Sequence, residues 1–112
     1  MAREAHPETP DGRYFVARER LWRKTDPRLD DSARRAAVKA LMRARRAVAQ
    51  AADAEEEARA RAEVDAAKRR LGERGPVWWD DGAPDEGGRH PANSRYAAWW
   101  AALSPEERAR GA

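Results

Sequence analysis

The apolar positions of this chain change their spacing three times. In residues 13–24, RYFVARERLWRK, they cluster as Tyr14, Phe15 and Val16, then Leu21 and Trp22. A helix accommodates them, because 14, 17 and 21 share a face with 15 and 22 alongside. Aromatic and β-branched residues at 14–16 favour instead two short strands turning at Arg18-Glu19. Thr25-Asp26-Pro27 ends the element either way, since the residue before proline is pushed out of the α region.

From residue 31 to 51 the pattern is helical and free of Gly and Pro. Ala and Arg are strong helix formers, and Asp30, Asp31 or Ser32 supplies the cap. Ala37, Leu41, Ala44 and Val48 fall in one narrow sector with Val38 at its border. Arg35, Lys39, Arg43 and Arg46 fall on the other side, and Arg34 and Arg45 extend that basic stripe. A second helix is predicted over 54–71. Asp53 and Glu56 make a start resembling a capping box. Its acids come early and its bases late, which suits the helix dipole. Ala60, Val64, Ala67 and Leu71 form its stripe, and Gly72 suits the position after the C-cap. The short link at Ala52-Asp53 predicts an antiparallel helical hairpin. Its Ala-rich stripes bury little, so they call for a further element over them.

Residues 73–93 read as a long loop punctuated by Gly and Pro, of the kind that is functional, packed by its own side chains, or disordered. SRYAAWWAAL, 94–103, predicts a short helix capped by Asn93 or Ser94, with Tyr96, Trp99, Trp100 and Leu103 on one side. Ser104-Pro105 suits the start of one more turn. The expected fold is mainly α: an antiparallel helical hairpin, a short C-terminal helix, a Trp-rich loop and a short N-terminal β-hairpin. It is expected as one domain over 13–103, between tails 1–12 and 104–112 that are dispensable for folding.

Composition sharpens this picture. Charged residues make up 38% of the 112-residue chain, and mean hydropathy is −1.04, close to disordered sequences. Five tryptophans argue the other way. Each buries roughly 150–250 Å², roughly 4–6 kcal/mol gross at ~25 cal/mol per Å². Trp22, Trp99, Trp100, Tyr14 and one of Trp78 and Trp79 are therefore expected to supply the core that the helices lack. Cysteine is absent, which excludes disulfides and thiolate metal sites. No signal peptide is visible. No apolar run reaches the roughly 18 residues of a membrane span. A cytoplasmic protein without membrane partners is expected. No cofactor is indicated, and the oligomeric state stays open.

Two surfaces stand out. In GPVWWDDGAPD, Trp78 and Trp79 adjoin Asp80, Asp81 and Asp85. Neighbouring side chains of an extended segment point opposite ways, so one tryptophan packs inward. The other lies at the rim, as a platform for a base, a sugar, an Arg or a partner chain. The basic stripe Arg35, Lys39, Arg43 and Arg46 suits phosphates along a nucleic-acid backbone. Alternatively it is a solvated face paired to the acidic start of the second helix. A divalent cation on Asp80, Asp81 and Asp85 would make a small metal-dependent enzyme, but the spacing fails the EF-hand template, with Ala83 at a ligand position and Glu86 where glycine belongs. His6 and His90 do not form a zinc pattern. No nucleophile elbow, Walker A, HExxH or GxGxxG motif occurs. The leading expectation is a non-catalytic interaction protein with a protein partner, and nucleic-acid binding is the alternative.

YFVARERLWRKTDP, RLGERGPVWWDDGAPD and RYAAWWAAL together resemble a family of small uncharacterised bacterial proteins, over about residues 13–103. Some of its members are labelled biopolymer transporter Tol. That label implies a single membrane span, which this sequence does not contain. The resemblance implies no catalytic residue.

Overall fold

The computed structural model describes residues 5–112. They form two compact units: residues 5–24 with 81–112, and Thr25–Asp80. The second is contiguous and is inserted in sequence within the first. The pattern had pointed to one domain over 13–103. The division follows the apolar residues, which make one core on the helical hairpin and another around the β-hairpin.

In the first unit, β1 (Tyr14–Ala17) and β2 (Arg20–Arg23) pair antiparallel, Tyr14 opposite Arg23 and Phe15 opposite Trp22. This is the favoured strand reading. The two-residue turn places Arg18 and Glu19 at φ 54° and 61°, the left-handed pair of a type I′ turn. Alternation sends Tyr14, Val16, Leu21 and Arg23 inward, all of them buried. The same alternation turns Trp22 outward at 37% exposure, with its indole N–H donating to the carbonyl of Ala17. Trp22 is therefore not the core residue its size suggested. Trp99 and Trp100 are half-buried rather than central.

Both edges of the hairpin are occupied. Thr9 N–H donates to the Tyr14 carbonyl and Val16 N–H to that of Pro7. On the other edge Leu21 N–H donates to the Arg89 carbonyl and Gly88 N–H to that of Leu21. Thr9 is buried, and the Tyr96 hydroxyl donates to Asp11. Residues 5–12 thus carry structural contacts where a flexible tail was expected; residues 1–4 lie outside the described residues. Beyond a 3-10 turn at Pro91–Asn93, α3 (Ala97–Ala102) is shorter than the helix expected over 94–103. Neither Asn93 nor Ser94 caps it. Ser94 is extended, its hydroxyl donates to the Pro91 carbonyl and accepts from Tyr96 N–H, and Arg95 N–H donates to Glu86. These bonds hold 94–96 out of the helix. In α4 (Pro105–Ala109), Ser104 and Glu107 complete a capping box. The C-terminal segment also packs: a Cβ added at Gly111 would stand 2.9 Å from Val16 Cγ1.

The second unit is the helical hairpin. α1 (Asp31–Gln50) is capped by Asp30, whose carboxylate accepts from Ala33 N–H at 2.7 Å. α2 (Ala54–Arg70) is capped by Asp53, which accepts from Glu56 N–H. Gly72 ends α2 at φ 77°. Its N–H donates to the Arg69 carbonyl and Glu73 N–H to that of Lys68, the Schellman arrangement. A Cβ there would meet Asp26 Cβ at 2.8 Å. Ala37, Leu41, Ala67 and Leu71 form the buried core, with Leu29, Ala40 and Val64 packed on it. Small side chains let the two helices approach closely, as their stripes predicted.

Candidate interaction surface

The five residues of the tryptophan–acid loop fall on both units. Asp81 and Asp85 belong to the first. Arg13 grips Asp81 through both terminal guanidinium nitrogens, Nη1 to Oδ1 at 3.3 Å and Nη2 to Oδ2. Those hydrogen bonds, then the Ala83 amide, hold the Asp81 carboxyl below the usual range. Asp85 accepts from the Tyr14 hydroxyl at 3.2 Å and from Gly87 N–H at 2.9 Å, and its Oδ2 stands 3.9 Å from buried Arg23. Tyr14 Oη accepts in turn from Glu86 N–H at 2.8 Å. Burial, more than the adjacent acids, pushes the Tyr14 phenol up to about 12. The Tyr96 phenol is raised as well, by burial and then by its bond to Asp11. Burial alone would raise Asp11, but bonds from Tyr96, Thr9 and the Arg13 amide leave it below its ordinary value. These carboxylates are thus engaged in holding loop to hairpin. Among the described residues no three His, Cys, Asp or Glu side chains gather as a metal site.

Trp78, Trp79 and Asp80 belong to the second unit. The indoles meet edge to face at 5.2 Å. Trp79 is buried and Trp78 half-buried, while Asp80 is exposed. Neither ring is the fully open rim platform that alternation suggested. Trp78 Cδ1 lies 3.1 Å from where a Cβ on Gly72 would stand, so that ring lies over the end of α2.

The basic stripe is displayed as its spacing predicts. Arg35, Lys39, Arg43 and Arg46 are all exposed on α1, and none forms an ion pair or side-chain hydrogen bond among the described residues. The pairing to the acidic start of α2 is not made there. Glu57 pairs with Arg61 along α2 itself, and Asp31 pairs with Arg34. Within reach of the stripe lie two residues that the pattern underrated. Val38 is 39% exposed and Met42 is 43% exposed. At 100° per residue, Val38 and Met42 lie about 40° from one another. Arg34 flanks them on one side, and Arg35, Lys39 and Arg46 on the other. These six side chains line an open trough. The signal was present in the four-residue step from Val38 to Met42, but Val38 had been counted with the buried sector's border.

A second recess lies on the flank of the hairpin. Arg45 and Val48 from α1, Arg61 and Val64 from α2, and Arg74 beyond it line a volume of about 340 Å³. Lys68 is half-buried close by. Burial first, then the charges of Arg74 and Arg45, hold its ammonium below the ordinary lysine pKa.

Among the described residues no helix is long and apolar enough to cross a membrane. Comparison with family models, with curated proteins and with solved structures finds no match to this chain.

Proposed function

We propose that this is a non-catalytic interaction protein of the bacterial cytoplasm whose working surface is the outer face of α1. The observation that carries this reading is the pair Val38 and Met42, left open to water between Arg34, which pairs with Asp31, and Arg35, Lys39 and Arg46, which form no ion pair among the described residues. Single exposed apolar residues are ordinary on protein surfaces. Two of them in register, flanked on both sides by cations, match an acidic helix that brings its own apolar residues into the trough. A second copy of α1 would bring like charge against like charge, so charge complementarity selects a different, acidic protein partner.

Nucleic-acid binding is the second reading, favoured by the unneutralised line Arg35, Lys39, Arg43 and Arg46. Phosphate contacts need no apolar floor, which is why it ranks behind a protein partner. A photo-crosslinking residue placed at Met42, and separately at Ala66 on the exposed side of α2, distinguishes the two in the cells that make the protein. A discrete adduct at Met42 alone that protease removes supports a protein partner. One that nuclease removes moves the function to the second reading. Equal adducts, or none, at both positions end the proposal for this face.

A further inference from the structure

Sulfur chemistry in this chain falls to methionine, because the sequence contains no cysteine and two methionines, Met1 and Met42. Met42 is the one that lies within the described residues. It stands on the floor of the α1 trough, 43% exposed, beside Val38. Lys39 precedes it by three residues and Arg46 follows it by four, and both line the same trough. Those spacings put both cations on the helix face of the thioether. Neither cation forms an ion pair or side-chain hydrogen bond among the described residues. The trough therefore holds an oxidisable sulfur open to water, next to donors whose acceptors are not supplied there. Oxidation of methionine turns a flexible apolar group into a polar one with an accepting oxygen.

From this placement we infer that Met42 is a reversible oxidation site, and that its oxidation by hydrogen peroxide switches the outer face of α1 off. The inference rests on the reading of that face as the working surface. A lone pair of Met42 Sδ attacks one oxygen of the peroxide, the O–O bond breaks and an S–O bond forms. The leaving hydroxide takes the proton of the S–OH group and departs as water. Sulfur loses two electrons and the peroxide gains two. The reverse step turns two thiols into a disulfide and releases the oxygen as water. The chain has no cysteine, so an external dithiol supplies those electrons. The sulfoxide oxygen takes hydrogen bonds from Lys39 and Arg46, both of which carry only donors. One oxidation thus removes half of the apolar floor and engages two of the cations that meet an acidic partner helix.

Peroxide treatment of the purified full chain, read by peptide mass spectrometry, tests the chemistry. Met42 should gain one oxygen at a rate within about three-fold of that of N-acetylmethionine amide, and the two epimer-specific sulfoxide reductases with a dithiol should remove it. Thermal unfolding should stay within about 4 °C of the untreated chain, because the group is on the surface. A sulfur that reacts only in denaturant, or a melting transition lost on oxidation, would overturn the switch. The effect on docking is read with a photo-crosslinking residue at Ala36, which also lines the trough. The purified chain is oxidised, freed of peroxide and added to extract of the cells that make it. The adduct should fall at least about five-fold and return after enzymatic reduction. In Met42→Leu it should be the same with and without peroxide. An adduct that survives oxidation, or that falls equally in Met42→Leu, ends the inference and leaves the working surface standing. No adduct even from the untreated chain removes that surface, and the switch with it.

Discussion

Tyr14 shows how one side chain couples burial to charge. Its ring is buried, and its hydroxyl accepts from the Glu86 amide while donating to Asp85, 71 residues along the chain. The folded phenol ionises near 12, against about 10 in an unfolded chain. Between those values the unfolded state has released a proton that the folded state keeps, so stability falls as pH rises. The contribution is whole below about pH 10 and disappears through pH 12, a loss of about 2–3 kcal/mol. Urea unfolding at steps from pH 9 to 12 should show this decline, and Tyr14→Phe should lessen it, leaving the part that the raised Tyr96 phenol contributes, while being less stable at pH 8. A parallel decline in both proteins would remove Tyr14 as the cause. The sequence made Tyr14 legible as a core residue by its place among apolar neighbours. It carried no sign of the Asp85 and Glu86 contacts, because distant pairing is set by tertiary geometry and not by local spacing.

At the scale of elements, local signals were good where one residue type carries the geometry. Asp30, Asp53, Gly72 and Ser104 each stand where a cap is needed, and each serves as one. The helical hairpin was readable from its two apolar stripes and short link, and the turn at Arg18-Glu19 from the aromatic and β-branched residues that precede it. The start of α3 was not, since Ser94 has the chemistry of a cap but spends its hydroxyl on Pro91 and Tyr96. The β-turn is the costliest local conformation in the first unit. Arg18 and Glu19 both sit at positive φ, where each residue with a Cβ costs roughly 1–2 kcal/mol. Replacing the pair by Asn-Gly keeps the Glu19 amide bond to the Gly111 carbonyl and should stabilise the protein by about 1 kcal/mol. A denaturation midpoint that stays put or falls would mean that side-chain contacts of Arg18 or Glu19 outweigh the turn preference.

For the whole molecule, the ends of the chain matter more than their polar composition suggested. Gly111 packs on Val16, His6 stacks on Phe15 at 5.7 Å, and His6 Nδ1 lies 2.9 Å from the Arg110 carbonyl. Removing residues 104–112 should therefore destabilise the first unit by about 2 kcal/mol or more, comparable to a large core truncation. Unchanged unfolding of the shortened chain would restore the simpler view of a dispensable tail. Polar segments such as Thr9 to Asp11 escape a hydrophobic reading because they are held by hydrogen bonds. Conversely the four-residue step from Val38 to Met42 stood in the sequence, but with Val38 assigned to the border of the buried sector a second apolar line beside that sector went unread.

Arg13 gives the insertion a particular character. Its carbonyl accepts from Lys24 N–H at 2.8 Å, where the chain leaves the first unit, and its guanidinium holds Asp81, where the chain returns. One residue thus clasps both sides of the doorway through which Thr25–Asp80 is threaded. Closing a loop costs only about 0.6 kcal/mol more for each doubling of its length. With its ends already pinned, the intervening hairpin is free to lengthen or shorten by whole helical turns while the frame around Arg13 stays the same.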